Sequence, residues 1–387
     1  MISEIVEKGQ CCGCSACYHL CPTSAITIKE NINGFLNAII DNNKCIKCNI
    51  CDNGCPIKRQ DKRIDIRCYA IKMHNNEELI EAQSGGAFFA LSKYFLINKG
   101  VVYGVTNQDI RNVSTIRIEK LSDLKFVLKS KYVQSNCVDS FEAVEKDLQN
   151  GRIILYSGTA CVIQGLKNYL RMKKVPTEKL FTCDLICHGV PSRLIDKDYL
   201  NYIEKKQKCD AVELIYRDKK LGWGTHFEKY VFSNGEIEHT NDKVIIFSKG
   251  YSLSPACFQC KYTTPYRDSD ITIGDFWGLC KIGLSKQQFN LGLSICIIRS
   301  DYINEILLKL TSEKEIETTE VELKDAMQWN LEQPTTKPKD YENFWRMYQK
   351  NRFHTLKPVY FSLSFKEKLS RQVKQVLRIR KLKAKKE

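Results

Sequence analysis

Short apolar runs alternate with amphipathic segments over most of the chain, and this pattern predicts strands that are each followed by a helix. The runs with the highest apolar content are typical of buried strands and lie at residues 68–73, 100–105, 151–156, 180–186 and 271–273. Two segments with helical spacing, 87–97 and 163–172, follow turns rich in small residues. Strand, turn and helix in repetition indicate an α/β domain, which we place at residues 67–340.

The beginning of the chain has a different pattern. Two short apolar runs, 25–28 and 35–40, flank Asn33-Gly34, a dipeptide typical of β-hairpin turns. A charged stretch, residues 57–67, then has the composition of a linker. We therefore predict a small α+β domain at residues 1–62.

The C-terminal segment, residues 341–387, is predicted to be an extension that ends in a basic helix. Its apolar residues have the spacing of one helix face and are Phe365, Leu369, Val373, Val376 and Leu377. Lysines and arginines fill most of the other positions. The helix is either a solvated terminal segment or a docking element for an acidic partner or an anionic membrane surface.

Charge and composition exclude several classes of protein. The formal net charge of the 387 residues is +15, but residues 366–387 alone contain ten Lys or Arg against two Glu. The rest of the chain is only mildly basic, and in the absence of a nucleic-acid motif we expect no nucleic-acid partner. Neither a signal peptide nor an apolar stretch of membrane-spanning length is visible, so we expect a cytoplasmic protein without a transmembrane segment.

Nineteen cysteines favour metal or redox chemistry over a disulfide framework in a chain of this kind. Eight of them form two runs with the spacing C-x2-C-x2-C-x3-C-P, and the second run repeats the first at an offset of 34 residues. Bacterial two-cluster ferredoxins have this spacing, and the fourth cysteine of each run binds the other cluster. The predicted ligands are Cys11, Cys14, Cys17 and Cys55 for the first [4Fe–4S] cluster, and Cys45, Cys48, Cys51 and Cys21 for the second.

Zinc is the alternative for these runs, but zinc sites use pairs of cysteines rather than two such triplets. Cys12 falls outside the spacing and is predicted to be a spare thiol. Four later cysteines could hold a third cluster, because they lie at predicted strand ends and loops, and they are Cys161, Cys187, Cys257 and Cys260. The alternative is that they are buried, inert thiols, as we predict for Cys68, Cys137, Cys209, Cys280 and Cys296.

A glycine turn, Ser84-Gly85-Gly86, precedes the first predicted helix of the α/β domain. Glycine allows the backbone to approach a ligand closely, and a helix N-terminus favours a phosphate. Several other side chains could contact a phosphate or a flat ring, although each is more simply interpreted as a surface charge or a packing aromatic: Lys131, Tyr132, Arg217, Lys219 and Trp223.

Taken together, these segments resemble the coenzyme F420 hydrogenase/dehydrogenase beta subunit family, in the form with an N-terminal two-cluster ferredoxin domain. Besides the cysteine runs, the motifs that carry the resemblance are Gln83-Ser84-Gly85-Gly86-Ala87-Phe88, Ser130-Lys131-Tyr132-Val133-Gln134-Ser135, Ser157-Gly158-Thr159-Ala160-Cys161, Asp184-Leu185-Ile186-Cys187-His188-Gly189-Val190-Pro191-Ser192, Tyr216-Arg217-Asp218-Lys219-Lys220-Leu221-Gly222-Trp223, Cys257-x2-Cys260 and Ser269-Asp270-Ile271-Thr272-Ile273-Gly274-Asp275-Phe276-Trp277-Gly278. They follow the family's order over about residues 1–280. One departure is Ala160, because the family usually has proline before this cysteine.

The resemblance implies a flavin, usually FAD, beside an iron–sulfur cluster in the α/β domain, and it favours the third cluster. By analogy, the residues near the flavin would be Ser84, Gly85, Gly86, Lys131, Tyr132, Thr159 and Asp275. A flavin exchanges two electrons and a cluster exchanges one, so the pair would act as a relay. The resemblance also implies coenzyme F420 or another organic molecule as the redox substrate.

The leading hypothesis is therefore an iron–sulfur flavoprotein oxidoreductase. The alternative is an electron-transfer module that has no substrate of its own and serves a partner enzyme, for example in polysaccharide biosynthesis. Either hypothesis requires a redox partner protein or a small-molecule electron carrier. His188 follows Cys187 at a predicted strand end and is the candidate proton shuttle, with a hydrogen-bonded turn histidine as the simpler interpretation.

Overall fold

The computed structural model describes residues 2–58, 65–283 and 290–361. The predicted basic helix after residue 365 and residues 59–64 of the predicted linker lie outside these ranges. The described residues form three sheets, of two, three and eight strands.

The strands in the described ranges are β1 (Ile26–Glu30), β2 (Leu36–Ile40), β3 (Arg67–Met73), β4 (Val101–Thr106), β5 (Ser114–Ile118), β6 (Ile154–Ser157), β7 (Leu180–Leu185), β8 (Ala211–Ile215), β9 (Glu228–Phe232), β10 (Ile237–Thr240), β11 (Ile271–Asp275), β12 (Ser294–Ile298) and β13 (Ile316–Glu320). The α-helices are α1 (Ile2–Glu7), α2 (Ala16–Leu20), α3 (Ile50–Gly54), α4 (Asn76–Glu81), α5 (Ala87–Ile97), α6 (Val138–Gln149), α7 (Ala160–Met172), α8 (Arg193–Gln207), α9 (Asp242–Ser248), α10 (Asp301–Ser312), α11 (Leu323–Ala326) and α12 (Tyr341–Tyr360).

The eight-stranded sheet is mixed and has the order β13-β3-β12-β11-β7-β6-β4-β5. Its centre is parallel, because β11 pairs with β7, β7 with β6 and β6 with β4. The other four pairings are antiparallel. Parallel neighbours need a crossover connection, and α7 supplies it between β6 and β7. The predicted α/β character of this region is confirmed as a mixed α/β architecture.

Helices cover both faces of this sheet. On one face, Leu91 and Phe95 of α5 pack with Ile303 and Leu307 of α10 against the strands. On the other face, side chains of α6 and α7 pack against inward-facing residues of β4 and β6. Burial on both faces explains why the central strands are nearly continuous apolar runs, which made them visible in the sequence.

The N-terminal segment contains a structural repeat. α2 and α3 begin 34 residues apart, and each follows a residue in the left-handed conformation, Ser15 with φ 70° and Asn49 with φ 60°. β1 and β2 form the predicted antiparallel hairpin, in which Ile28 pairs with Ala38. The predicted turn residues Asn33-Gly34 lie inside the connection between the two strands.

Two buried side chains clamp this segment onto the rest of the molecule. The Gln134 amide accepts a hydrogen bond from Leu36 N at 2.7 Å and donates to the Cys12 carbonyl at 3.2 Å. The guanidinium of Arg193, at the start of α8, donates to Glu30 Oε1 at 2.8 Å and to the Gln134 carbonyl at 2.8 Å. Charge-assisted hydrogen bonds of this kind hold the hairpin in a fixed place beside the α/β body.

The three-stranded antiparallel sheet, β10-β9-β8, forms a smaller layer with α8, α9 and α12. Its core is rich in aromatic side chains, and Trp345 and Tyr348 of α12 pack there with Tyr199 of α8 and Tyr230 of β9. α12 is kinked at Arg352, where φ is 53°. Within the described ranges, every helix is too short or too polar to cross a membrane.

Candidate functional site

The parallel strands of the large sheet end at one edge, and several of the candidate residues lie there. β6 is followed by Thr159 and Cys161, β7 is followed by Cys187 and His188, and β11 ends at Asp275. Because neighbouring parallel strands point the same way, their carboxyl ends form a common edge where α/β proteins place ligands. The fold therefore collects these side chains from three separate segments.

The first predicted set of cysteines lines one cavity. Cys11, Cys14, Cys17 and Cys55 all contribute to a cavity of about 350 Å³ that is partly open to solvent. Apolar side chains from the N-terminal segment complete much of the lining, and they are Ile2, Ile5, Ile28, Ala38 and Ile57. An apolar shell around converging thiols restricts solvent access to whatever the thiols bind.

Backbone amides interact with each thiol of this first set. Burial, followed by the neighbouring thiols of Cys11 and Cys55, raises the pKa of Cys17. At each of the four thiols, backbone amide groups lower the pKa against the effect of burial. These amides belong to Ala38 and Gly13 at Cys11, Ala16 at Cys14, Tyr18 at Cys17 and Ile57 at Cys55. An N–H group directed at sulfur favours the thiolate, which is the form that ligates iron.

The second predicted set lies at the surface. Cys48 is exposed, whereas Cys21, Cys45 and Cys51 are half-buried, and most of residues 41–49 are exposed. Cys48 lies close enough to contribute to the raised pKa of Cys51, after burial and the charge of Asp52. Cys21 Sγ accepts a hydrogen bond from Ala25 N at 3.2 Å.

The third predicted set is brought together by the fold. Burial, followed by the neighbouring thiols of Cys161 and Cys260, raises the pKa of Cys187 to about 12. Burial, with the nearby thiols of Cys187, Cys161 and Cys260, raises the pKa of Cys257. Four thiols that are as much as 99 residues apart in the sequence therefore lie in one neighbourhood.

Hydrogen-bond donors also reach this third set. Cys257 Sγ accepts from Val190 N at 3.3 Å, and Cys260 Sγ accepts from Tyr262 N at 3.4 Å. The backbone amide of Gly189 lowers the pKa of Cys187 against the larger effect of burial. The third set thus has the same kind of amide contacts as the first.

Cys12 lies between the first and third sets. Its thiol hydrogen-bonds with those of Cys14 and Cys161. The Cys14 contact, with burial, raises the pKa of Cys12, and the Cys161 contact opposes this by lowering it. Cys14 belongs to the first set and Cys161 to the third, so a single side chain separates the two groups of thiols. The sequence spacing, which only sets Cys12 apart from the ferredoxin pattern, contains no sign of this contact.

Two of the cysteines predicted to be inert, Cys68 and Cys296, have different surroundings, whereas Cys137 lies beside the first set, with its thiol 3.6 Å from the Cys14 carbonyl. Burial raises the pKa of Cys68 to about 11 and also raises that of Cys296, with no backbone amide among the main influences on either. The side chain of Cys280 is outside the described part of the chain. In the described part, no three His, Cys, Asp or Glu side chains converge closely enough to hold a single metal ion. A four-iron cluster is larger than one ion, and its four thiolates stand further apart.

The glycine turn is locked onto the large sheet. Ser84 has φ 54° and Gly86 has φ 87°, and Gly86 precedes the first residue of α5. Gly85 N donates to Ser294 Oγ at 2.9 Å, and a Cβ on Gly85 would lie 1.9 Å from the Ile71 carbonyl oxygen. Glycine is therefore required at residue 85 by the packing of the turn against β3 and β12.

One lysine, Lys219, contacts this turn and is held away from water. The Lys219 ammonium donates to the carbonyls of Leu79 and Ser84, the latter at 2.6 Å. Burial lowers the pKa of Lys219 to about 7, and it lowers that of Lys131 to about 7 as well. A phosphate placed beside such groups would favour their charged forms and so offset the cost of burial.

Asp275 organises an aromatic and basic cluster at the end of β11. Its carboxylate accepts from Arg217 Nη1 and from Trp223 Nε1, both at 2.6 Å. Trp223 stacks on Trp277 with ring centroids 4.7 Å apart. Arg217 also hydrogen-bonds with Tyr132, so the structure brings Tyr132 and Asp275 together through Arg217.

A family model for the C-terminal part of the coenzyme F420 hydrogenase/dehydrogenase beta subunit matches residues 151–324. The match covers somewhat less than half of the chain, and over these residues the chain is similar to that family. The resemblance deduced from the motifs is therefore confirmed, and the family is one of redox enzymes.

Individual proteins are similar over longer stretches. The coenzyme F420-dependent sulfite reductase of Methanocaldococcus jannaschii is 24% identical over 341 residues, which cover 86% of this chain and 49% of that protein. The chain thus spans about half the length of this relative. Among solved structures, the F420-reducing [NiFe] hydrogenase complex from Methanosarcina barkeri contains a chain with TM-score 0.47 and 18% identity, over 75% of this chain and 91% of that one.

The resemblance to the F420 hydrogenase/dehydrogenase family implies a flavin. Whether the residues of this chain suit a flavin can be judged from the buried polar atoms that lack hydrogen-bond partners. Both amide atoms of Gln83, Nε of Arg217 and Nε2 of His188 are buried without a hydrogen-bond partner among the described residues. An unsatisfied buried polar group costs about 1–3 kcal/mol. Gln83 adjoins the glycine turn and Arg217 contacts Tyr132 and Asp275, so these atoms suit a ligand that is rich in polar atoms.

His188 is packed rather than exposed. Its Nδ1 lies 3.3 Å from Asn330 Oδ1, and its ring centroid is 4.9 Å from that of Phe247. Burial lowers the pKa of His188, so the ring is neutral at physiological pH. The role of proton shuttle stays a prediction.

A second cavity was not anticipated from the sequence. It encloses about 570 Å³, partly open to solvent, and Tyr132 and Arg217 form part of its wall. Its lining also contains a buried lysine between two carboxylates, Lys243 with Asp196 and Glu228. In the sequence these three charges look like ordinary surface residues, and only the fold reveals that they are enclosed.

Proposed function

We propose that the chain is an iron–sulfur flavoprotein oxidoreductase that passes electrons between an organic substrate and [4Fe–4S] clusters. The observation that carries this proposal is the contact between the first and third sets of cysteines through Cys12. Electron transfer between clusters requires that they be close, and thiols that touch through one side chain meet that requirement. The similarity to a redox family is consistent with this chemistry.

Each cluster would be held by four thiolates. The first would use Cys11, Cys14, Cys17 and Cys55, the second Cys45, Cys48, Cys51 and Cys21, and the third Cys161, Cys187, Cys257 and Cys260. The amide contacts to the first and third sets support this assignment, because hydrogen bonds to cluster sulfurs help to set reduction potentials.

The flavin would bind at the carboxyl edge of the large sheet. Gln83 and the Ser84–Gly86 turn would supply polar atoms, and Lys131 and Lys219 would neutralise phosphate charge. Tyr132, Arg217 and Asp275 would orient the ring system, with Thr159 on the side of the third set. When bound, a flavin exchanges a hydride with organic molecules and single electrons with clusters.

Coenzyme F420 is the proposed organic substrate, with another hydride carrier as the alternative. The family model and the sulfite reductase that resembles this chain both carry the name of this coenzyme. The position of the second cavity, which shares Tyr132 and Arg217 with the flavin neighbourhood, is compatible with a substrate that meets a flavin.

The second set of cysteines suggests where electrons leave or enter. Cys48 and the surrounding residues 41–49 are exposed, and an exposed cluster can exchange electrons with a separate protein. This observation also favours the second candidate function, an electron-transfer module that serves a partner enzyme. The two candidates differ in whether the chain oxidises or reduces an organic molecule by itself.

Anaerobic purification followed by counts of iron, sulfide and flavin tests the proposal. We expect about twelve irons and one flavin per chain, whereas two clusters would give about eight irons. Absorbance spectra recorded after addition of reduced coenzyme F420 distinguish the two candidates, because an oxidoreductase would show reduction of its bound flavin and an electron-transfer module would not. A reconstituted protein that is colourless and iron-poor would contradict both functions.

A further inference from the structure

A buried charge cluster faces the second cavity. Lys243 Nζ lies 3.1 Å from Glu228 Oε1 and also contacts the Asp196 carboxylate. The exposed fractions of these residues are 8% for Lys243, 1% for Glu228 and 8% for Asp196. One cation between two carboxylates leaves an excess negative charge in a site with little water, and this excess favours protonation of one carboxylate.

Glu228 is a carboxyl group that takes up a proton near neutral pH. Burial outweighs the attraction of Lys243 and raises the pKa of Glu228 to about 7. The Asp196 carboxylate, in contrast, contacts Lys243 and also accepts from Tyr216 OH at 2.9 Å. The contact of Glu228 with Tyr230 OH is longer, at 3.4 Å.

Aromatic rings hold the lysine in place. Lys243 Nζ lies 4.8 Å from the ring centroid of Tyr216, 5.5 Å from that of Tyr199 and 5.7 Å from that of Tyr230. A cation surrounded by three rings and two carboxylates is fixed in position. The charge cluster is therefore rigid, and its member Glu228 can exchange a proton near neutral pH.

The cavity also contains polar atoms that point to a ligand. Ser252 is 2% exposed and lines the cavity, yet its Oγ has no hydrogen-bond partner in the described part of the chain. Arg217 is 2% exposed and lines the same cavity with an unpartnered Nε. Two buried polar atoms without partners in one cavity suit a ligand with polar edges.

The remaining walls suit a flat and uncharged group. The rings of Tyr132 and Phe247 line the cavity with centroids 5.3 Å apart, together with the side chains of Pro191, Ile195 and Ile246. The carboxylates of Asp196 and Glu228 are matched by the cations Lys243 and Arg217 in the same lining, so the cavity has no net charge that would draw in a charged tail. His226 is the exposed residue of the lining. A planar ring with hydrogen-bonding edges fits these conditions.

We propose that the second cavity binds the planar ring of the hydride-carrying organic substrate, and that the Glu228 carboxyl exchanges a proton with it. This inference rests on the proposed function and gives its substrate a binding place. Lys243 and Asp196 act as positioning residues. Ser252 hydrogen-bonds the edge of the ring, while Arg217 stays the residue that the two neighbouring sites share.

The reaction balances with the flavin as the hydride acceptor. Oxidation of a substrate AH2 to A breaks two bonds to hydrogen. One hydrogen would leave with both electrons as a hydride, for which a bound flavin would be the acceptor, and the other would leave as a proton that forms an O–H bond on Glu228. Reduction of A reverses both transfers.

The pH dependence follows from the groups that face Glu228. These are Lys243 on α9, Asp196 and Tyr199 on α8, Tyr230 on the same strand, and Tyr216 next to Asp196. Glu228 is a carboxylate above pH of about 7 and protonated below it. Substrate oxidation needs the carboxylate, so its rate should rise as the pH increases through about 7.

The test uses the full chain and coenzyme F420 as the probe. Iron and flavin are counted first, binding is measured from the quenching of coenzyme fluorescence, and turnover is followed from about pH 5.5 to 8.5. Ser252→Leu fills the cavity and should weaken binding about tenfold or more. Glu228→Gln should abolish the rise of turnover with pH. Glu238→Gln is the matched control, because Glu238 lies on the next strand and pairs with Lys206 and Gln207.

Each outcome has a distinct meaning. Unchanged coenzyme binding by Ser252→Leu, or no binding by the wild type, would overturn the cavity assignment. Loss of flavin from Ser252→Leu would also overturn it, because the cavity would then belong to the flavin. A pH profile that Glu228→Gln retains would overturn the role of Glu228. Failure of the proposed function is recognised separately, by wild-type protein without iron or flavin.

Discussion

Replacement of Gly165 by alanine is expected to displace Cys14 and to cost the chain one cluster. Gly165 is buried in α7, and a Cβ at this position would lie 2.7 Å from Cys14 Sγ and 2.9 Å from Cys14 Cβ. Ordinary contact begins at 3.4 Å, so the two groups must separate by about 0.7 Å. Metal–ligand distances tolerate only about 0.2 Å, so a bound cluster cannot absorb this movement.

Two opposing terms set the stability of the same variant. Alanine is favoured over glycine inside a helix by about 1 kcal/mol. Overpacking a core costs about 1–3 kcal/mol. In the metal-free protein, rotation of the Cys14 side chain relieves the contact with Sγ but not the contact with Cβ. The helix and overpacking terms should therefore largely cancel, and the melting temperature should fall by at most about 4 °C.

Iron analysis after anaerobic reconstitution, with thermal unfolding of the metal-free protein, measures both effects. We expect Gly165→Ala to lose about four irons per chain relative to the wild type. Gly224→Ala is the control, because a Cβ on Gly224 would have no heavy atom within 4 Å. Full iron content in Gly165→Ala would refute the assignment of Cys14 as a ligand, and a large loss of metal-free stability would place the clash in general packing.

Three further predictions follow from the same contacts. Cys161→Ala should remove about four irons per chain while Cys68→Ala leaves the count unchanged, and equal losses in iron analysis would contradict the third ligand set. Asp275→Asn should lower the flavin content, because Arg217 loses its carboxylate partner. Asp301→Asn is the control, because Asp301 pairs with Arg67 at the surface, and it should leave the flavin content unchanged. Flavin released by acid precipitation measures both variants, and full retention in Asp275→Asn would refute the role of Asp275 in flavin binding. Native Glu228 binds its proton more tightly than the unfolded chain does, so wild-type stability should fall relative to that of Glu228→Gln as the pH rises from 4.5 to about 7, and parallel urea-unfolding profiles of the two proteins would contradict this.

The part of the fold that the sequence predicts is the part where burial acts on both faces. β3, β4, β6, β7 and β11 were predicted because each is a short and strongly apolar run. β12 is fully buried but was not among the predicted strands, because no glycine turn separates it from the helix that follows. β13 has the sequence Ile-Glu-Thr-Thr-Glu and is mostly polar because it lies at the sheet edge.

The candidate site divides in a similar way. The N-terminal cysteines could be assigned to ligand sets because a short repeated spacing fixes which thiols can converge. The third set combines Cys161, Cys187 and Cys257 from segments that meet only in the folded sheet, so spacing left it open. The cluster around Lys243 had no signal at all, because a charge's burial depends on neighbours that are distant in the chain.

The hydrogen bonds of Gln134 and Arg193 fix the distance over which electrons would pass between the N-terminal segment and the α/β body. Because buried hydrogen bonds join the segment to its neighbour, the two do not move as separate domains, and an electron that passes between them would cross a constant distance. Its rate should then be indifferent to solvent viscosity, unlike that of a tethered carrier that diffuses between stations. A redox partner would therefore have to bind at the exposed second set of cysteines, because the N-terminal segment does not move out to meet it.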